Sequence, residues 1–191
     1  MNTGLNRKDA LAFEKLGEEK LLHTPVFDVY GQLMLSPDGV KGNYVSIDAP
    51  DWVVIVAVHE GNFVLVRQWR HGEGRVTMEF PGGVADPGEK PVETALRELE
   101  EETGYRAGRI TLLGKVSSNT ALFRNHFSVF LAEELVQTGL QHLDRDEVLK
   151  YTELPVGEVI RRYGDEEFTH AYMGTALAFY FRYLSEQQSE K

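Results

Sequence analysis

The stretch that most constrains this chain runs from Gly83 to Tyr105: Gly83-Val-Ala-Asp-Pro-Gly-Glu89, seven further residues, then Arg97-Glu-Leu-Glu-Glu-Glu-Thr-Gly-Tyr105. Asp86-Pro-Gly-Glu89 is turn chemistry, because proline presets φ and glycine accepts a positive one. Pro91 is tolerated in a helix only in the first turn, and Gly104 is the residue expected just past a helix end. The spacing therefore predicts a glycine-rich loop followed by a helix over 90–103. At about 100° per residue, Val92, Ala95, Leu96 and Leu99 share one arc, predicted to face the core. Glu98, Glu101 and Glu102 share a neighbouring arc, stacked over successive turns. Like charges at that spacing repel, and late in a helix they also oppose the macrodipole. A hard divalent cation, Mg²⁺ or Mn²⁺, would offset the repulsion, since such ions prefer carboxylate oxygens. A solvated acidic face is the plainer alternative, and the helix alone does not separate the two.

The whole segment resembles the signature of the Nudix hydrolases: Gly, five residues, Glu, seven residues, then Arg-Glu-apolar-any-Glu-Glu-any-Gly-apolar. Gly83, Glu89, Arg97, Glu98, Leu99, Glu101, Glu102 and Gly104 occupy the fixed positions, and Tyr105 stands where an aliphatic residue is usual. The resemblance implies an α/β fold, the Nudix α/β/α sandwich with a mixed sheet, in a domain spanning 50–191. It also implies an N-terminal β extension over 1–49 that pairs two subunits into a homodimer. The expected activity is divalent-metal-dependent hydrolysis of a pyrophosphate. Mg²⁺ or Mn²⁺ would be held by Glu98, Glu101 and Glu102, with a backbone carbonyl at or next to Gly82. Arg97 lies four residues before Glu101, so it can pair with and orient that carboxylate. Glu89 falls near the helix N-terminus, where a carboxylate is favoured, and ranks as cap before metal ligand.

Segments outside the signature bear on the substrate. Val66-Arg-Gln-Trp-Arg70 resembles the Arg-Gln-Tyr-Arg motif of members that cleave ADP-ribose and nucleoside diphosphate sugars. Arg70, and with it Arg67, are candidates for a phosphate clamp, to which the guanidinium fork is suited. Met78-Glu-Phe-Pro-Gly-Gly83 resembles the entry to the signature in the same subgroup and points Glu79 toward the substrate; a cross-strand ion pair would look the same in sequence. That subgroup usually carries a proline near position 121, which is alanine here, so the sugar preference stays open. Arg124 and His126 follow in the same loop as weaker candidates for substrate contact. The resemblance also implies a general base in an acidic loop after the last sheet strands, here Leu143-Asp-Arg-Asp-Glu-Val148, with Glu147, Asp146 and Asp144 as options in that order. Trp52, Trp69 and Tyr30 are candidates to stack a base, although Trp52 lies in an apolar strand and reads first as core.

Composition bounds the rest. A formal charge of −10 argues against a nucleic-acid surface, and the absence of cysteine excludes disulfides and thiol nucleophiles. Met1 to Asp9 holds no apolar segment of signal-peptide type, and the longest apolar run, Trp52 to Val58, is too short to span a bilayer. A cytoplasmic enzyme without membrane partners is expected. Strands are predicted at 26–35, 43–47, 52–58, 63–67, 77–80, 110–116, 126–133 and 148–153, and helices at 155–163 and 169–184. Residues 8–20 read as a short polar helix or a tail. The expected substrate is ADP-ribose or a related nucleoside diphosphate sugar, split into a nucleoside monophosphate and a sugar phosphate. The alternatives are a nucleoside triphosphate or dinucleotide pyrophosphatase, and a non-catalytic nucleotide sensor.

Overall fold

In a computed structural model that describes residues 9–139, 141–143 and 147–189, the chain forms two units. One unit holds the residues up to Pro50 together with Ser117–Asn125; the other holds Asp51–Val116 and the chain from His126 onward. The boundary expected at 49/50 thus acquires a second crossing, because the 117–125 segment joins the N-terminal unit.

The first unit is a three-stranded antiparallel sheet of β1 (Glu14–His23), β2 (Asp28–Leu35) and β3 (Lys41–Asp48), in that spatial order. Residues 9–20 are therefore no helix. The charges at Glu14, Lys15, Glu18, Glu19 and Lys20 lie along an edge strand that is exposed over most of its length. Such a strand shows no alternation of apolar and polar residues, which is why its sequence hides it. The 117–125 segment is tied to β3 by Ile47 N–H donating to Leu122 O at 2.8 Å and Arg124 N–H donating to Ile47 O at 2.9 Å.

In the second unit, β4 (Trp52–His59) and β5 (Asn62–Arg70) form a hairpin across Glu60 and Gly61. Both turn residues have positive φ, 47° and 83°, as a two-residue type I′ turn requires. The unit continues through β6 (Arg75–Glu79), α1 (Pro91–Thr103), β7 (Tyr105–Ser117), β8 (His126–Gln137), β9 (Leu149–Pro155), α2 (Val156–Arg162) and α3 (Ala171–Ser189). The sheet is mixed: β4 and β8 run parallel while the β5 pairings are antiparallel. Successive residues of β4 face opposite ways. Val53, Ile55 and Ala57 pack with Ala95 and Leu99 of α1, and Val54 and Val56 pack with Met173, Ala176 and Leu177 of α3. Helices on both faces explain why β4 reads as an unbroken apolar run.

The sheet divides at β5. β9 runs beside it from Asn62 to Gln68, so β4 and β6 must share its other edge. β4 takes Asn62–Val64 and β6 takes Val66–Arg70. Beyond the split, the first half of β4 is completed by the loop after β6: Val53 N–H donates to Gly83 O at 2.9 Å, and Ile55 N–H to Pro81 O at 2.8 Å. A Cβ on Gly82 would overlap the carbonyl oxygen of Val53, so this loop packs on β4 only with glycine at 82.

Candidate active site

The cleft opens where the sheet divides. It encloses about 350 Å³ and is walled by Trp52 of β4, Gln68 and Arg70 of β5, Gly82 to Val84 of the loop, and Glu98, Glu101 and Glu102 of α1, with Asp86, Arg97 and Glu147 at its rim. Helix α1 begins on Pro91, with Glu93 accepting from Lys90 N–H at 3.0 Å, and ends on Gly104 in the left-handed conformation at φ 71°. The predicted span stands, but its buried arc is displaced. Ala95 and Leu99 are fully buried, whereas Val92 and Leu96 are 36% and 39% exposed, and Glu98 and Glu102 are buried in their stead. The helix turns its carboxylates inward, toward the loop.

Two of those carboxyls resist ionisation. Burial, with Glu101 and Glu147 nearby and only Arg97 opposing, pushes Glu98 up to about 7. Burial, reinforced by Glu98 and Glu147 and partly relieved by the Gly82 N–H, pushes Glu102 up to about 8. Gly82 N–H donates to Glu102 Oε2 at 2.8 Å, so loop and helix are joined at the cleft floor. Gly83 is needed for the same approach, since a Cβ there would overlap the Glu98 carboxyl group. The flanking carbonyls of Pro81 and Gly83 are bound to β4, and by the alternation of extended backbone the Gly82 carbonyl turns the other way.

Arg97 organises the acidic wall. Its Nε and Nη2 donate to Glu89 at 3.1 Å each, its Nη1 to Glu98 and Glu101 at 2.9 Å each, and its Nη2 also to Val84 O at 3.2 Å. Glu89 is drawn down to about 2 by Arg97 foremost, and it also accepts from Asp86 N–H and the Thr94 hydroxyl. Glu89 is thus a loop-and-helix clamp on the far side of Arg97.

The donor set suits a hard cation: carboxylate and carbonyl oxygens only, on carboxyls whose ionisation burial disfavours until a cation supplies the opposing charge. Among the described residues, no three acidic or imidazole groups are already gathered at metal-binding spacing. Instead the Arg97 guanidinium lies between Glu98 and Glu101 and supplies the positive charge there.

The substrate candidates separate by face. Gln68 and Arg70 alternate onto the cleft side of β5, while Arg67 points the other way and pairs with Glu167 at 3.1 Å; Arg67 is therefore not part of the cleft. Arg70 holds Glu79 with two bonds, Nε to Oε1 at 2.8 Å and Nη2 to Oε2 at 2.6 Å. Glu79 is 1% exposed and stands behind Arg70 rather than in the cleft wall. Burial raises the Glu79 carboxyl, but the hydrogen bond and charge of Arg70, with the nearby His170 imidazole, prevail and hold it below the usual range. Glu147 lies at the rim; Asp146 and Asp144 fall outside the described residues. Arg124 is engaged within the N-terminal unit, with Glu18, Ser46 and the face of Tyr30, and His126 is not a cleft residue. Trp69 is half exposed and likewise stands apart, whereas Trp52, expected in the core, forms a wall of the cleft. Thr77 and His170, which also reach Glu79, carry no signal in the sequence. Gln68 was not among the candidates, although its spacing of two from Arg70 on one strand puts it on the same face.

A carboxylate-lined cleft at this loop and helix defines a class, and the chain belongs to the Nudix family: the NUDIX domain model matches residues 49–174. Nudix hydrolases generally use a divalent metal. The chain is 32% identical over 179 residues to the ADP-ribose pyrophosphatase of Bacillus subtilis (strain 168), covering 93% of this chain and 96% of that one. It is 30% identical over 135 residues to the ADP compounds hydrolase NudE of Escherichia coli (strain K12), covering 71% and 72%. A crystal structure of an ADP compounds hydrolase superposes with a TM-score of 0.84 at 27% identity, over 94% of this chain and 98% of that chain. No helix among the described residues is long and apolar enough to cross a membrane.

Proposed function

We propose that this enzyme hydrolyses the pyrophosphate bond of ADP-ribose or a related nucleoside diphosphate sugar, releasing a nucleoside monophosphate and a sugar phosphate. The observation that carries this is the single cleft lined by Glu98, Glu101, Glu102, Glu147 and Arg70. The names of the relatives, an ADP-ribose pyrophosphatase and an ADP compounds hydrolase, support the substrate class. Glu98, Glu101, Glu102 and the Gly82 carbonyl would hold Mg²⁺, or Mn²⁺ in its place. The ion, when bound, supplies charge neutralisation at phosphoryl oxygens and acidifies water. Arg70 grips a phosphate with guanidinium N–H groups. Arg97 keeps Glu98 and Glu101 aligned. Glu147 takes the proton from the attacking water as the new P–O bond forms and the bridging P–O bond breaks.

The N-terminal sheet is assigned the part of a dimerisation extension. It exposes Leu21, Leu22, Tyr44 and Val45, apolar side chains that a second subunit would cover. On this reading the enzyme works in the cytoplasm as a homodimer, on small molecules and not on nucleic acid.

The test is phosphate release coupled to alkaline phosphatase with Mg²⁺ or Mn²⁺, over ADP-ribose, GDP-mannose, UDP-glucose, dinucleotides and nucleoside triphosphates. Metal-dependent turnover of diphosphate sugars that disappears in Glu102→Gln is the expected result. Turnover confined to triphosphates would overturn the substrate assignment, and nucleotide binding without turnover would make the domain a sensor. Glu147→Gln is expected to lower kcat at least a hundredfold while leaving Mg²⁺ affinity near that of the unsubstituted protein. Unchanged kcat removes Glu147 as base.

A further inference from the structure

Glu79 is a buried carboxylate that the chemistry above does not use. Three hydrogen bonds and one close imidazole contact surround it. Oε1 accepts from Arg70 Nε at 2.8 Å and from the Thr77 hydroxyl at 2.5 Å; Oε2 accepts from Arg70 Nη2 at 2.6 Å and lies 3.1 Å from His170 Nδ1. Burial holds His170 below its usual pKa, against the pull of the Glu79 charge beside it. At 1% exposure, Glu79 is closed off behind these partners and does not line the cleft.

Arg70 is the reverse case. Its guanidinium has five N–H groups, of which Glu79 engages one on Nε and one on Nη2. Both protons of Nη1 and the second on Nη2 lie on the edge away from Glu79, and the side chain, 30% exposed, forms part of the cleft wall. An isolated buried pair of this kind stabilises a fold little better than an apolar pair of the same volume. What the bidentate geometry does supply is direction, because a fork gripped along one edge cannot rotate.

We propose that Glu79 is a positioning residue for Arg70, and that Thr77 and His170 complete the socket that aims the free edge of Arg70 at the substrate phosphate. This rests on the functional reading above, in which the cleft takes a nucleoside diphosphate. It also draws α3 into specificity, since His170 is the residue immediately before that helix.

The experiment is a double-mutant cycle on Arg70→Ala and Glu79→Gln, reading kcat and KM for ADP-ribose with Mg²⁺. Calorimetric binding of ADP supplies a readout that needs no turnover, and thermal melts establish folding. Each single variant is expected to raise KM and the ADP Kd at least tenfold with kcat within about threefold, and the double variant is expected to rise no further than Arg70→Ala alone. Full additivity would show that Glu79 touches the ligand itself and would overturn the proposal, as would a Glu79→Gln protein with unchanged KM and Kd. If Glu79→Gln does not fold, Thr77→Val and His170→Gln take its place. Each is expected to raise the Kd severalfold in the natural background and to have no effect in Arg70→Ala; an effect that persists there overturns the proposal. Wild-type protein that binds ADP without hydrolysing ADP-ribose would sink the functional reading alone, and the ADP cycle would still decide the positioning role.

Discussion

Binding of Mg²⁺ near neutral pH should expel protons from this site. Glu98 titrates at about 7 and Glu102 at about 8 in the metal-free protein. At pH 7 the first is about half protonated and the second about nine-tenths, so an ion that requires both carboxylates displaces between one and two protons, roughly. The apparent affinity should therefore rise by ten- to a hundredfold per pH unit, roughly, below pH 7, and flatten above about pH 9. Both groups are raised above their unfolded values. Their contribution to metal-free stability is consequently full below about pH 4.5 and is lost as the pH climbs through 7 and 8. For Glu98 alone the shift corresponds to a contribution on the order of 3 kcal/mol. The Glu102 contribution is not simply added to it, because the two carboxyls repel each other. The assay is calorimetric titration with MgCl₂ at pH 7 in buffers of low and high ionisation enthalpy. A buffer-dependent heat giving about one to two protons released is expected. Identical heats in both buffers would mean that Glu98 and Glu102 are already ionised, and the argument from burial would fail.

Glu102→Gln should abolish hydrolysis and yet raise the melting temperature of the metal-free protein at pH 8 by several degrees, roughly, because a buried charge is removed while the amide oxygen still accepts from Gly82 N–H; a fall in melting temperature at pH 8 would contradict this. Gly83→Ala should cost at least tenfold in Mg²⁺ affinity with little loss of stability, since the new Cβ displaces only the flexible end of Glu98, whereas Gly82→Ala meets the Val53 backbone and should fail to accumulate as folded protein. Equal behaviour of the two in circular dichroism melts would refute the distinction. Arg97→Lys keeps the charge but cannot span Glu89, Glu98, Glu101 and Val84 O at once; kcat should drop more than tenfold, and steady-state kinetics check it.

The helix at the centre of the site was legible because Pro91 and Gly104 mark its ends by their own stereochemistry. The continuous apolar run of β4 and the Glu60-Gly61 turn were legible for equally local reasons. What local pattern missed was decided elsewhere in the chain. Amphipathicity assigned Val92 and Leu96 to the core, but the loop at Gly82 and Gly83 comes so close to α1 that Glu98 and Glu102 are buried instead. The charged strand β1 owes its conformation to pairing with β2 and not to its composition. Arg67 and Arg70 look equivalent as residue types, and only the period of the strand separates the one on the cleft from the one on its back. Of the socket behind Arg70, the cross-strand pair with Glu79 was one of two readings open in the sequence, but Thr77 and His170 were invisible, since His170 reaches Glu79 from a distant segment joined only by topology.

The divided sheet also has a mechanical meaning. To widen the floor of the cleft, β4 would have to part from the loop at Val53 and Ile55, giving up backbone bonds that water inside the split could replace only poorly. The sheet edge opposite, formed by β5, is bound along its length by β9. The floor is thus a fixed gauge, whose width is set by main chain rather than by side chains. Substitutions that retune this enzyme for a bulkier sugar or a different base would have to act on its walls, at Trp52, Gln68 and the segment bearing Glu147, because the spacing between the two prongs of the sheet is not theirs to change.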